Sequence, residues 1–148
     1  MEDWPRLCDI HDRARLDELR LSAGVASFLP LEQSAQNEGL FDADLAVAVA
    51  NGRVEGFVAY AAGELTWLYV SPDTYRRGVG RALVRHVLSA ARQPLTVEVL
   101  EGNAPALSLY RSEGFTVIQR KVGRLEGNEA FPAVGLVLRH PGHENNLG

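Results

Sequence analysis

Cysteine is nearly missing: Cys8 stands alone among 148 residues, so no internal disulfide can form and no cysteine-built zinc site is available. That scarcity fits a reducing cytosol, and a cytoplasmic location is expected. Long apolar runs are missing too. Nothing approaches the roughly eighteen residues a membrane helix needs, and no charged-then-apolar leader follows Met1-Glu2-Asp3, so neither a membrane span nor a secretory signal is expected. A basic excess is also lacking. Fifteen Lys and Arg face nineteen Asp and Glu, a net charge of -4 spread along the chain, and a partner of nucleic acid is not expected. Repeats, low-complexity tracts and Pro/Gly/Ser-rich linkers are absent. With 46% apolar residues the chain can bury one core, so a single domain over 1–140 is expected, with 141–148 as a disordered tail.

What is present reads first as changing periodicity. Asp3 is placed to cap a helix carrying Trp4, Leu7, Cys8, His11 and Ala14 on one face, with Pro5 tolerated in its first turn. Residues 24–41 read as a loop with a short helix near Leu31 to Gln36. The period then becomes two. Leu45 to Ala50, Val54 to Ala61 and Leu65 to Val70 read as strands, the first two joined by a hairpin turn at Asn51-Gly52 and the third entered through Gly63. A helix follows with Val79, Ala82, Leu83, Val87 and Ala90 on its buried side, ending at Gln93-Pro94. Leu95 to Leu100 is a strand. Asn103 caps a short helix with Ala106, Leu109 and Tyr110, and Gly114 is its left-handed stop. Phe115 to Val122 and Ala133 to Leu138 read as closing strands around a turn at Gly127-Asn128. The order indicates an α/β (α+β) domain, a mixed sheet covered by helices.

The densest stretch is Leu68 to Leu83. A strand ends, a loop follows, and Gly78 and Gly80 open a helix. Glycines there let a ligand approach the backbone, and the N–H groups of Gly78, Val79, Gly80 and Arg81 would form an anion site suited to a diphosphate, with Arg76, Arg77 and Arg81 adding charge. A plain tight turn explains two glycines equally well. The P-loop lysine is absent, and Leu83 stands where a dinucleotide-binding turn needs its third glycine or alanine.

Two longer patterns decide between these. Leu68-x-Val70, Pro72 and Tyr75-Arg76-Arg77-Gly78-Val79-Gly80 are followed by Asn103, Ala106, Tyr110, Gly114 and Phe115. In these motifs residues 45–138 resemble the GNAT superfamily of N-acetyltransferases, most closely its small single-domain bacterial members of the YjaB type. The resemblance implies the GNAT fold, a mixed and mostly antiparallel sheet flanked by helices. It implies acetyl-CoA as co-substrate and no metal. Transfer would go to a primary amine, on a small molecule or a peptide, by direct attack in a ternary complex. By that resemblance the strands Leu65 to Val70 and Leu95 to Leu100 splay apart around the pantetheine arm. The backbone of Leu68 and Val70 would bind the arm, the Val70 N–H would polarise the thioester carbonyl, and Asn103 would contact the cofactor from the other side.

The sequence departs from the family in two places. Tyr75 stands where Gln or Arg is usual. The usual first strand is missing or replaced, since helix signals begin at Asp3; a bare strand edge follows, and a second copy forming a homodimer is one way to cover it.

For chemistry, Tyr110 is the candidate acid for the departing thiolate; on residue type alone it reads first as a core tyrosine with a backbone-bonded hydroxyl, and the Asn103 to Phe115 spacing reverses that order. Glu98 is the candidate base. It alternates away from Leu95, Val97 and Val99, and it precedes Tyr110 by the offset that separates base and acid in the superfamily's ribosomal-protein alanine acetyltransferases. Glu64 and a bound water are alternatives, as is a solvated Glu98. His11, His86, His140 and His143 read as structural or solvated. A non-catalytic acyl-CoA-binding module of the same fold is the competing reading. A toxin acting on charged transfer RNA fits the acidic balance poorly.

Overall fold

The computed structural model describes residues 2–91, 93–126 and 128–142. Helix α1 (Trp4–Leu21) leads to α2 (Leu31–Asn37), then to strands β1 (Asp44–Ala50), β2 (Arg53–Ala61) and β3 (Glu64–Val70). Helix α3 (Val79–Ala90), strand β4 (Leu95–Leu100), helix α4 (Ala104–Ser112) and strands β5 (Thr116–Arg124) and β6 (Pro132–His140) complete the chain. The six strands form one sheet in the order β1-β2-β3-β4-β6-β5, antiparallel except for β3 beside β4.

Local chemistry accounts for these elements. Asn51 and Gly52 take φ of 54° and 75°, the left-handed pair that a two-residue hairpin needs between β1 and β2. β2 is buried along most of its length because helices cover both of its faces. On one face α3 and α4 bury Leu83, Val84, Val87, Tyr110 and Phe115 against Val58, Leu65, Val97, Val99 and Leu138. On the other, α1 and α2 bury Leu7, Ile10, Leu31 and Ala35 against Val54, Phe57, Ala59 and Trp67. Each such aliphatic side chain contributes roughly 1.5–3 kcal/mol by leaving water. Gly56 admits α3 to the sheet: a Cβ there would stand 3.0 Å from both Val79 and Leu83 side chains.

Two expectations need correction. Asp3 precedes α1 but its side chain makes no capping bond; its carbonyl receives the Leu7 amide instead. The buried face of α3 is Leu83, Val84 and Val87, while Ala82 and Ala90 are exposed, because the arc packed on the sheet is centred on the three larger side chains. Helix α1 runs to Leu21 and buries Leu7, Ile10, His11, Ala14 and Leu19. Among the described residues α1 is the first element, as a missing or replaced first strand implies, and β1 is an outer strand of the sheet, where Val47 and Val49 are exposed. Gly127, His143 and most of the tail at 141–148 lie outside the described residues.

Candidate active site

Strand β3 carries the geometry on which the site depends. Its ladder with β2 slips between Ala59 and Tyr60, opposite Trp67 and Leu65, which leaves Thr66 as an extra residue in a bulge. The parallel rungs to β4 are Glu64 with Thr96 and Leu65 with Val97, and none follows. The bulge bends β3 where that pairing stops, so the two strands diverge over their C-terminal halves.

The freed edge has the right polarity to bind an extended ligand. The Ser71 amide donates to the Glu55 carbonyl at 2.8 Å, so the hydrogen-bonded positions of the β2–β3 ladder fall on Ser71, Tyr69 and Trp67. Leu68 and Val70 therefore direct their N–H and C=O groups away from β2 and into the gap. Leu68 and Val70 line a groove of about 630 Å³ that continues past Tyr75, Arg76, Gly78, Val79, Gly80 and Arg81 to Asn103, Ala106 and Leu109.

The far end of this groove is a backbone cradle. Gly78, at φ 82°, is the N-cap of α3, and the first intrahelical bond runs from the Ala82 amide to the Gly78 carbonyl. Among the described residues the amides of Gly78, Val79, Gly80 and Arg81 have no partner, which fits a diphosphate. Arg76 also sits in the left-handed region at φ 66°, so the turn is concave toward the groove. A Cβ at Gly80 would press on Leu109 at 3.3 Å and Val70 at 3.5 Å, so the cradle's width depends on glycine there. Arg76 and Arg77 are exposed beside it. Arg81 lines the groove, but its guanidinium is engaged by Glu113 at 3.4 Å and Ser112 at 3.1 Å. Tyr75 turns its hydroxyl to α1, donating to Asp17 at 3.0 Å.

A second cavity, of about 620 Å³, opens on the α1–α2 side of the sheet. Glu98, Glu64 and Tyr110 all line it. Glu98 is exposed, lies across the bare backbone of Gly135 on β6, and faces Lys121 at 3.8 Å. Burial, together with Glu126 and Glu98, pushes the Glu64 carboxyl above its ordinary value. Tyr110 is core, packed edge-on against Phe115 at 5.3 Å. Its hydroxyl nevertheless has no hydrogen-bond partner among the described residues, so the backbone-bonded alternative does not describe it. Burial and the charge of Glu18 push its pKa up, which keeps the proton on oxygen near neutral pH.

The two cavities meet at Glu18, Leu68, Tyr69, Asn103 and Ala106, which line both. Asn103 caps α4 by accepting the Ala106 amide at 3.3 Å and donates to Glu18 at 3.2 Å. Glu18 also receives the Tyr69 hydroxyl at 3.3 Å and the Arg15 guanidinium. His11 is buried beside Trp67 and Tyr69, and desolvation lowers its pKa although its bond to Asp12 opposes the shift. Sequence reasoning missed Glu18, Glu38 and Ser34. Glu18 had a legible signal: it continues the buried spacing of Leu7, His11 and Ala14, and a carboxylate on that face calls for partners.

Comparison with known proteins gives the family and the fold. Residues 41–117 match the family described as the acetyltransferase (GNAT) domain. The peptidyl-lysine N-acetyltransferase YjaB of Escherichia coli K12 is 37% identical over 126 residues, 79% of this chain and 74% of YjaB. The peptidyl-lysine N-acetyltransferase YiaC of the same organism is 37% identical over 70 residues, and there the match spans about half of each protein, 46% of this chain and 47% of YiaC. The solution structure of apo YjaB from E. coli superposes with a TM-score of 0.69 at 31% identity, covering 95% of this chain and 92% of that one. A phosphinothricin acetyltransferase from Sinorhizobium meliloti, solved in complex with AcCoA, gives 0.72 over 98% of this chain and 86% of its own; at 15% identity that likeness is one of fold.

Proposed function

The chain belongs to the GNAT acetyltransferase family and is an acetyl-CoA-dependent N-acetyltransferase, and on that premise we propose that it delivers the acetyl group directly to a primary amine held in the acceptor cavity. The observation that carries this reading is the loss of β3–β4 pairing after Leu65 and Val97, with the Leu68 and Val70 backbone facing the gap. The residues fit the cofactor: unpartnered amides from Gly78 to Arg81 suit its diphosphate, and the strand edge suits its extended amide-bearing arm.

Each residue then has a task. The Val70 N–H donates to the carbonyl oxygen on which negative charge builds. The Tyr110 hydroxyl, protonated and unpartnered, donates to the sulfur as it leaves. Glu98 takes the proton of the amine, directly or through one water; Glu64, kept more basic by its surroundings, is the alternative on the same cavity wall. Glu18, Glu64, Glu98 and Glu126 on the lining favour a cationic acceptor. Relatives that by name acetylate peptidyl lysine support a lysine-type amine.

Purified protein given acetyl-CoA and a panel of amines tests the proposal, read as free thiol release and as acetylated product by mass. Amine-dependent thiol release is expected. Saturable coenzyme A binding without release for any amine would leave a non-catalytic acyl-CoA-binding module.

A further inference from the structure

The wall of the acceptor cavity under α2 holds a feature that acetyl transfer does not use. Ser34 is 5% exposed, and its Oγ is, among the described residues, a buried side-chain oxygen with no hydrogen-bond partner. A hydroxyl left in that condition is costly unless something arrives to satisfy it. Ser34 lines the cavity, and so does Glu38, four residues later. The Glu38 amide donates to the Ser34 carbonyl at 3.0 Å, so the turn of α2 continues through both and stacks them on one face. A hydroxyl with free lone pairs beside a carboxylate makes a set of acceptors, and such a set binds a nitrogen that carries N–H donors and positive charge. Ser34 and Glu38 belong to α2 and its C-terminus, whereas Tyr110 belongs to α4 and the gap to the sheet, so the nitrogen they suit is a second one, apart from the one being acetylated.

Resting on the acceptor reading above, we infer that Ser34 and Glu38 form a subsite for a second cationic nitrogen of the acceptor, so that the substrate is a primary amine bearing a further ammonium or guanidinium group. The surrounding charges agree. Arg15 of α1 faces Glu38 but is itself held by Glu18, and His11 of the same helix has its proton disfavoured by burial. Glu126 and Glu129, from the loop between β5 and β6, add negative charge near Glu38. Burial and those two glutamates push the Glu38 carboxyl up to about 7 despite Arg15, and a bound cation relieves that cost. The second nitrogen can belong to a free polyamine or to a side chain next to a peptide lysine; the chemistry is shared, and the experiment separates them.

Calorimetry in the presence of coenzyme A, with cadaverine and spermidine set against pentylamine, reads the subsite without needing turnover. The wild-type chain should bind the polycations about tenfold or more tightly than the monoamine, the size expected of one charge-assisted contact. E38Q and S34A should each erase that preference while leaving pentylamine binding unchanged. S34A should melt no lower than wild type, since it removes an oxygen with no partner. Parallel titrations of a Lys-Arg peptide and its Lys-Gln counterpart assign the nitrogen to a peptide or to a free polyamine, according to which pair shows the Glu38-dependent preference. Equal binding of polycation and monoamine in both pairs, or a preference that survives E38Q, overturns the inference. Glu38-dependent binding without acetylation of any amine would keep the subsite and remove the transfer reaction, whereas acetylation with no polycation preference would do the reverse.

Discussion

Asn103 donates its side-chain amide to Glu18 at 3.2 Å, and this bond joins the N-cap of α4 to α1 at the place where the two cavities meet. Backbone pairing between β3 and β4 has already ended at Leu65 and Val97. Side chains therefore brace the walls of the cleft where main-chain bonds no longer do, and Glu18 connects three of them through Asn103, Tyr69 and Arg15.

Replacing Asn103 separates capping from bracing. Asn103→Ala loses both, and the cap alone is worth about 0.5–2 kcal/mol. Asn103→Ser keeps an N-cap oxygen but cannot reach Glu18. Thermal melts should place Ser close to wild type and Ala below it, while both raise KM for acetyl-CoA. A normal KM in the serine variant would remove the brace from the account.

Tyr110→Phe removes a hydroxyl that makes no hydrogen bond among the described residues, so the melting temperature should hardly move. Loss of an acid typically costs about a hundredfold or more in turnover. Stopped assays of kcat, with coenzyme A affinity measured alongside, should find the rate down and the affinity kept. Unchanged kcat would sink the acid role.

Gly80→Leu should abolish acetyl-CoA binding, because even a Cβ at that position meets Leu109 at 3.3 Å and Val70 at 3.5 Å. Gly78→Ala is milder: its Cβ meets nothing within 4 Å, and the cost is the left-handed backbone at φ 82°, roughly 1–2 kcal/mol. Equilibrium binding should rank wild type, Gly78→Ala and Gly80→Leu in that order.

The Glu38 contribution to stability should fall as pH rises toward neutrality, opposite in sign to that of His11, whose pKa is lowered. The Glu38 carboxyl is pushed up to about 7 from an ordinary 4.5, so the native state holds its proton longer than the unfolded chain. Its contribution is complete below about 4.5 and is lost as pH passes through 7. Allowing for partial solvent screening, the change is about 1–2 kcal/mol. Denaturant melts from acid to neutral pH should show wild type losing stability relative to Glu38→Gln; a difference that does not change with pH would place the titration elsewhere.

Much of this molecule was legible in its residues read in order. The alternation from Leu45 to Val70, the Asn51-Gly52 hairpin, the Gly78-Val79-Gly80 helix start and the Asn103 cap are local devices, set by neighbours a few positions apart, and they foretell the sheet, the cradle and Tyr110. Other features belong to packing alone. The bulge at Thr66 exists because β2 and β3 must keep register past an extra residue, and nothing in Leu65-Thr66-Trp67 announces it. Ser34 on α2 and Glu38 at its C-cap belong to no motif and gain meaning only when α2 closes over the sheet, and Glu18, whose place on the inner face of α1 the spacing announces, meets Asn103 and Tyr69 only in the folded chain. Periodicity records which face of an element is buried, whereas the partner across that face is chosen by long-range contact, which no short window of sequence contains.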